Sequence, residues 1–598
     1  MDIVLIAPPW PLFNRPSIQL GVLKAYLTKN LPKGVRVQNL HPYLHVAAAT
    51  GFSTYHAISQ SGWASEAVFS HILFPDKSGP GTLFDASLHK GTSKKTRIDF
   101  DRICRSSQAA LEKAIDACDF TKTHIVGISV CLNQLTAGLF VAKLLKQRYP
   151  DLPIVMGGAS VSGDVGIGIL RSFPWIDYVI DGEGEIPLLE LSKYTLGLSS
   201  AIASKAVIQK GQILPGHKEQ ISDMDKLPVP DFDDYFRELS QVGGGGINVV
   251  LPVEASRGCW WGQCSFCNLN LQWKGYRAKR PEKVAKEIDF LSTRYSVIDF
   301  AFMDNCLPRK DVKKIFGLLA SQGRDYSIFG EIRASHSRQE LKIMKEGGLD
   351  SLQIGIEALS TSLLKRLKKG ATAISNLYLM KSCAEIGIDL QSNMIICFPK
   401  SSKAEVEETL KNLDYAWPFP TLKPVRFWLG MASPIYDGYR TYGIRCIRAS
   451  RKYSYLFPSK IMNSLTPLIL DYVGDRGRQA VLWRPVETKL NFFRRKRKEL
   501  GIKGSGLTYR DGGHFVIIRQ LLPDGQVLTH RLAELSRQLY LAAEEPVPMD
   551  KIFAKAPHVP KDKVEQFIGQ MVKKKLMFKE NSMVLSLACR QKTKRSFS

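Results

Sequence analysis

The chain has 598 residues, of which 44% are hydrophobic, 10% aromatic and 23% charged; that is enough for several domains with large cores and excludes a disordered or collagen-like protein. Eleven cysteines in so long a chain are too sparse and too unevenly spaced for a disulfide framework. The 83 Lys plus Arg against 56 Asp plus Glu give a formal charge of +27, which favours an anionic partner: a nucleotide cofactor, an acidic peptide, nucleic acid or a membrane surface. No apolar run approaches the roughly 18 residues of a membrane span, and Met1-Asp2-Ile3-Val4-Leu5-Ile6-Ala7-Pro8-Pro9 lacks the basic start and long apolar stretch of a signal peptide. A cytoplasmic address with no membrane partner is the expectation.

The first 200 or so residues alternate strand-like and helix-like patterns. Ile3 to Ala7, Val35 to Val37, His124 to Val130, Pro153 to Gly158 and Tyr178 to Glu185 read as strands, and Ile18 to Leu27 and Leu135 to Tyr149 as helices. Repeated βα units with continuously apolar strands predict a parallel α/β sheet covered on both faces, which binds ligands at the carboxyl ends of its strands. Ser129, Gly157, Gly158 and Ser160 fall at two such ends. An insertion over 41–120, rich in His, Ser and aromatics such as Tyr55, Trp63 and Phe69, interrupts the pattern. This first domain is assigned to 1–205 and a linker to 206–245, where Asp225-Lys226-Leu227-Pro228-Val229-Pro230-Asp231 and Gly243-Gly244-Gly245-Gly246 punctuate the chain.

A second βα series follows over 246–460, with strands at Val249 to Leu251, Ile298 to Phe302, Ser327 to Phe329, Leu352 to Ile356 and Met394 to Phe398. That number suits a full or partial (β/α) barrel with its chemistry at the carboxyl-terminal rim. Residues 461–505, with Arg494-Arg495-Lys496-Arg497-Lys498, read as a basic linker region with a solvated face. Over 506–598, Val564, Phe567, Ile568, Met571, Val572 and Leu576 share one helical face, and Met577 to Leu587 reads as a closing hairpin. With the helix before it, this is a winged-helix-like domain. Packing, peptide recognition and nucleic-acid binding are all open to it.

The sharpest motif is Ser256-Arg257-Gly258-Cys259-Trp260-Trp261-Gly262-Gln263-Cys264-Ser265-Phe266-Cys267, three of the eleven cysteines within nine residues, directly after the first strand of the second series. A structural zinc site needs a fourth ligand, yet the next cysteine is Cys306 and no histidine lies close. Three thiolates leave one position of a four-iron cluster open to a substrate's amino and carboxylate groups.

This cysteine loop resembles that of the radical S-adenosylmethionine (SAM) enzymes. Four residues separate Cys259 from Cys264, where the commonest family spacing has three; Cys264-x-x-Cys267, with Phe266 before the last ligand, matches. The resemblance implies a 4Fe-4S cluster on Cys259, Cys264 and Cys267, which are both its metal ligands and the catalytic residues. It implies SAM contacts from Asp304, Asn305, Arg333, Glu357 and Asn393 at the strand ends. The plainer alternatives are a turn role for Asn305 and a surface ion pair for Glu357 and Arg333. A parallel α/β domain ahead of such a barrel resembles the cobalamin-binding class, and the absence of Asp-x-His-x-x-Gly implies cobalamin bound without a protein histidine.

Arg15 to Gly21, Asn133-Gln134, Gly157-Gly158-Ala159, Asp181-Gly182-Glu183-Gly184-Glu185, Trp260-Trp261, Gly355 to Ser360 and the Leu539-Tyr540 region together resemble the radical C-methyltransferases that mature ribosomally made peptides. The resemblance implies methyl transfer to an unactivated carbon of a precursor peptide, with SAM, cobalamin and the 4Fe-4S cluster as cofactors and flavodoxin or ferredoxin as electron donor. A small natural-product precursor is the alternative substrate. A basic nucleic-acid-binding protein with a structural metal is the alternative of another class. A transfer-RNA methylthio-transfer enzyme is disfavoured, because Cys104, Cys118 and Cys131 are scattered rather than grouped for a second cluster.

Overall fold

The apolar segments of the first series do form strands: β1 (Asp2–Ile6), β2 (Arg36–Leu40), β3 (Thr123–Ser129), β4 (Ile154–Gly157), β5 (Tyr178–Ile180) and β6 (Val207–Gln209). The computed structural model describes residues 2–88, 97–211, 218–269 and 273–591. The sheet order is β2-β1-β3-β4-β5-β6, parallel except for β6. Ile3, Ile6, Ile125, Val126 and Ile154 are fully buried, as strands covered on both faces require. The chain leaves β1 toward β2 on one side and returns to β3 on the other, so the strand order reverses between β1 and β3, where open α/β sheets hold their ligands. Helix α1 (Ile18–Asn30) starts at Ser17, whose hydroxyl accepts from the Leu20 amide.

The insertion is five helices, α2 (Pro42–Thr50), α3 (Phe52–Ser59), α4 (Gly62–Leu73), α5 (Gly79–Leu88) and α6 (Phe100–Asp116). Tyr55 and Phe69 are fully buried and meet Trp10 with ring centroids 4.9 and 6.1 Å apart. The insertion thus adds a second core layer beside the sheet.

Two boundaries move. β6 pairs antiparallel with β5 and closes the first sheet beyond residue 205; its three residues are too short for a periodic signal. The expected linker is also strapped back: Asp234 Oδ2 accepts from the Asn39 amide at 2.8 Å and Glu238 Oε2 from the His41 amide at 2.9 Å.

The second series gives β7 (Leu251–Val253), a two-stranded ribbon of β8 (Ser256–Arg257) and β9 (Arg277–Ala278), then β10 (Asp299–Phe302), β11 (Ser327–Arg333), β12 (Leu349–Gly355), β13 (Asp389–Gln391), β14 (Asn393–Ile396) and β15 (Lys423–Arg426). β7, β10, β11, β12 and β13 pair in parallel, a bridge from Glu357 to Met394 carries the curve to β14, and β15 closes it. The result is a partial barrel.

The region read as a basic linker is instead a strand (Ile469–Val473) and a 24-residue helix (Arg476–Glu499). Trp483, Val486, Leu490 and Phe493 are buried at helical spacing. Arg497, within the basic block, is buried and donates to the carbonyls of Trp417, Pro418 and Gly504 at 3.2, 3.0 and 2.6 Å. Beyond it, helices Glu534–Ala542, Met549–Phe553 and Lys561–Lys573 with strands Val547–Pro548, Met577–Glu580 and Met583–Ser586 follow the winged-helix order. Among the described residues no helix is long and apolar enough to cross a membrane.

Candidate active site

The cysteine loop leaves the carboxyl end of β7 through Gly258, whose φ of +83° and whose approach to Gly275, with a built Cβ 2.2 Å from that carbonyl oxygen, admit only glycine. The loop is then clamped from outside by the turn after the helix Thr361–Arg366. The Ser265 amide donates to Leu367 O at 3.0 Å, Ser265 Oγ to Arg366 O at 3.2 Å and Trp261 Nε1 to Lys368 O at 2.9 Å. From inside, Arg333 at the end of β11 lies 4.3 Å from the Trp261 ring centroid and 5.4 Å from that of Trp260. Its Nη1 donates to Cys264 Sγ at 3.7 Å and its Nη2 to Lys369 O. Arg333 and Glu357 are therefore not a mutual surface pair.

Glu357, in the left-handed region at φ +59°, accepts from Lys369 Nζ at 2.9 Å. Burial works against the Lys369 charge, but Glu357 and then Cys264 outweigh it and raise its pKa. Two cations thus stand beside the thiols. Burial raises Cys264 and pushes Cys267 up to about 11. Cys259 is held at about 5, chiefly by a hydrogen bond with Cys306, which is raised in turn. Lys369 and Cys306 both escaped the sequence reading: one sits in a run of lysines and the other stands 39 positions beyond Cys267.

The strand-end residues divide. Asp304 is spent inside the protein, its Oδ2 accepting from the Ala255 amide at 3.0 Å and its Oδ1 from Ser256 Oγ at 2.5 Å. Burial raises it to about 7. It positions the strand that leads into the cysteine loop, and these bonds leave it a poor partner for SAM. Asn305 Nδ2 and Arg333 Nε, by contrast, are buried with no partner among the described residues, as donors awaiting a ligand are. Asn393 begins β14 and accepts from the Glu357 amide through its carbonyl at 3.2 Å. Among the described residues no three His, Cys, Asp or Glu side chains are grouped as ligands of a single ion; the cysteines are spread along the loop, and in a polynuclear cluster each thiolate takes a different iron.

A cavity opens at the β1/β3 switch point. Ser129, Gly157 and Gly158 line it. A side chain at Gly157 would meet nothing nearer than Ile180 Cβ at 3.9 Å, so this glycine keeps the floor clear. Among the described residues no histidine lines it; His41 is buried against Glu238, with Nδ1 3.1 Å from Oε1. Ser160 turns away into a second cavity with Trp63 and Tyr453, because the chain reverses at Gly158 and the Ser160 amide bonds back to Val130 O at 3.1 Å.

The roof of the first cavity belongs to the barrel: Glu254, Arg257, Trp273 and Met303. Arg257 is buried among Glu183, Glu185 and Glu254 at 3.0, 2.7 and 2.9 Å. The Asp181-to-Glu185 motif therefore acts as a clamp on the residue two positions before Cys259. Sequence could not show this, since the partners lie 72 positions apart.

Residues 253–413 match the radical SAM superfamily. An uncharacterized methyltransferase of Pyrococcus horikoshii is 30% identical over 310 residues, covering 49% of this chain and 65% of that protein. The anaerobic magnesium-protoporphyrin IX monomethyl ester cyclase of Cereibacter sphaeroides is 25% identical over 300 residues, 47% of this chain and 48% of that one. The chain thus spans about half to two thirds of the length of these relatives. The radical SAM methyltransferase TsrM of Kitasatospora setae, solved with cobalamin and a 4Fe-4S cluster, superposes with a TM-score of 0.55 at 13% identity over 82% of this chain and 88% of that one. Residues 253–413 thus match the radical SAM superfamily, and the chain, its N-terminal α/β domain included, shares its fold with a solved radical SAM methyltransferase that binds cobalamin.

Proposed function

We propose that this chain is a cobalamin-dependent radical SAM methyltransferase that methylates an unactivated carbon of a ribosomally made peptide. The observation that carries the reading is the shared boundary of two sites: barrel residues roof the cavity of the first domain, and one of them, Arg257, leads directly into the cysteine loop.

When bound, the cluster and SAM supply a hydrogen-abstracting radical and cobalamin supplies a transferable methyl group. Cys259, Cys264 and Cys267 would hold three irons and leave the fourth free. Arg333 and Lys369 offset the negative charge of the thiolates, and the unpartnered Asn305 Nδ2 and Arg333 Nε offer donors to SAM oxygens. Gly157 and Gly158 make room for the corrin edge, while Trp273 and the Arg257 clamp exclude water from the boundary. The peptide reading draws on the winged-helix-like unit packed beside the barrel, which would dock a leader remote from the chemistry and raise the effective concentration of the reacting residue.

A small-molecule acceptor is the second reading, favoured by the relative named for a porphyrin ester. The test is anaerobic reconstitution with iron, sulfide and cobalamin, followed by transfer of label from methyl-labelled SAM. Iron-dependent absorbance and SAM cleavage that vanish in the Cys259→Ala/Cys264→Ala/Cys267→Ala variant, with label entering a peptide encoded beside the gene, are expected. Full iron absorbance in the triple variant overturns the enzyme assignment, and faster labelling of a free metabolite overturns the peptide.

A further inference from the structure

The turn that clamps the cysteine loop is the tip of a two-helix hairpin, whose arms are the helices Thr361–Arg366 and Ala373–Ile386. The carbonyls of Arg366, Leu367 and Lys368 that grip Ser265 and Trp261 come from this tip. So do the Lys369 ammonium held by Glu357 and the Lys369 carbonyl that accepts from Arg333. Residues 367–372 form no helix or strand of their own. The place of the tip is therefore set by how its two arms are held.

The arms meet at their base, where the Ala373 amide donates to Thr361 Oγ1 at 2.8 Å. Glu408, from the helix Lys403–Ala416, anchors the first arm by accepting from Ser360 Oγ and the Thr361 amide at 2.6 and 2.9 Å. A carboxylate from the C-terminal unit joins that arm to the second: Glu580 accepts from the Thr361 hydroxyl through Oε1 and from the Ile374 amide through Oε2 at 2.9 Å. Ile374 is buried and its amide lies in the first turn of a helix, where no intrahelical acceptor exists. A carboxylate there satisfies a buried donor and complements the helix dipole. Glu580 ends the strand Met577–Glu580 at the turn of the C-terminal hairpin, and that turn is itself fixed, since the Ser582 carbonyl accepts from the Met549 amide at 2.8 Å.

We propose that Glu580 is a positioning residue for the cysteine loop: it staples the bases of the two arms and so holds the tip against Ser265 and Trp261. The proposal rests on the radical SAM reading of that loop. Without the staple, the excursion from Thr361 to Ala373 regains conformational freedom and the grip of its tip loosens. The C-terminal unit thus completes the cysteine loop of the barrel as well as standing beside it.

The experiment uses the full chain and its Glu580→Ala and Glu580→Gln variants. Hydrogen exchange of the cluster-free proteins reads the grip at the Ser265 amide, which is expected to exchange about tenfold faster in Glu580→Ala. In Glu580→Gln, whose side-chain amide can still accept from Ile374 and donate to Thr361, the rate is expected to stay within about threefold of the wild type. Amides of the paired strands Leu507–Asp511 and Phe515–Leu521 are expected to change by less than about twofold, which separates loss of the staple from loosening of the whole unit. After reconstitution with iron and sulfide, Glu580→Ala is expected to yield its iron to a ferrous chelator several-fold faster than the wild type. Unchanged Ser265 exchange in Glu580→Ala overturns the proposal, as does faster exchange that the C-terminal strands share in equal measure. A wild type that takes up no cluster overturns the radical SAM reading instead. Thr361→Val, which removes the hydroxyl that Glu580 binds, serves where Glu580→Ala does not fold; unchanged Ser265 exchange there also overturns the proposal.

Discussion

Arg257 Nη2 donates to Glu185 Oε1 at 2.7 Å across the boundary of the two α/β domains. Both side chains are buried, and burial alone would raise Glu185, but Arg257 outweighs it and holds the carboxyl below its ordinary 4.5. Removing one partner of such a pair leaves an uncompensated buried charge at a cost of about 3–5 kcal/mol. Glu185→Ala is therefore expected to lower the melting temperature by several degrees and to loosen cobalamin retention, with Glu185→Gln, which keeps a hydrogen-bond acceptor, losing less. Because the folded pKa is depressed, the contribution is present above the unfolded pKa and is lost as pH falls through the folded value, below about 4.5. A melting temperature unchanged by Glu185→Ala would contradict the clamp.

His336 supplies a second, separate acid sensitivity. Burial pushes it down to about 4, and neither ring nitrogen has a hydrogen-bond partner; Glu340 Oε2 stands 3.7 Å away. The unfolded chain binds this proton near its ordinary 6.5, so between 6.5 and 4 the unfolded state holds more protons and stability falls as pH falls. His336→Leu is expected to flatten the loss of melting temperature between pH 7.5 and 5. An equal fall in both proteins would show that His336 is accessible to protons in the native state.

The parts of the fold and site legible in the sequence are those written in short range. The apolar runs of β1, β3, β4 and β10, the helical face around Val564 and the three cysteines each signal within a dozen residues. Long-range pairings left no such trace. Glu183 and Glu185 find Arg257, Cys306 finds Cys259, and Arg497 leaves a block of charge to satisfy three carbonyls. Asp304 shows the reverse failure: its place at a strand end suggested a ligand contact, but burial and two internal donors had already claimed it.

Gly157 tests the first-domain cavity. A Cβ built there meets nothing closer than Ile180 Cβ at 3.9 Å, and Gly157 lines the cavity, so the backbone should accept a leucine while the ligand site does not. Overpacking of this kind costs about 1–3 kcal/mol, which corresponds to about fivefold to more than a hundredfold in cobalamin affinity. The expected result is Gly157→Leu protein that keeps its melting temperature without cofactor but loses cobalamin absorbance on desalting. Full retention would place the corrin elsewhere.

The C-terminal unit is fastened to the barrel rather than tethered to it, which changes how its role must be probed. Lys381, on the helix Ala373–Ile386, is fully buried and donates from Nζ to Glu544 O at 2.9 Å and Ser586 O at 2.8 Å, while Ile374 donates its amide to Glu580 Oε2 at 2.9 Å. Truncation near residue 505 would strip all three bonds and bare this barrel helix. Lys381→Ala is the gentler probe. It takes the donor from the buried Ser586 carbonyl, at about 1–3 kcal/mol, and from the half-buried Glu544 carbonyl at less, offset in part because an ammonium whose pKa burial already lowers no longer has to be buried. Lys498 in the last turn of the helix Arg476–Glu499 and Lys503 just beyond it are both exposed to trypsin. Cleavage there is expected to quicken several-fold in Lys381→Ala as the unit opens from the barrel, with peptide methylation falling and dithionite-driven SAM cleavage preserved. An unchanged tryptic rate would mean that the apolar contacts of Ile568, Met571 and Val584 hold the unit in place without the lysine.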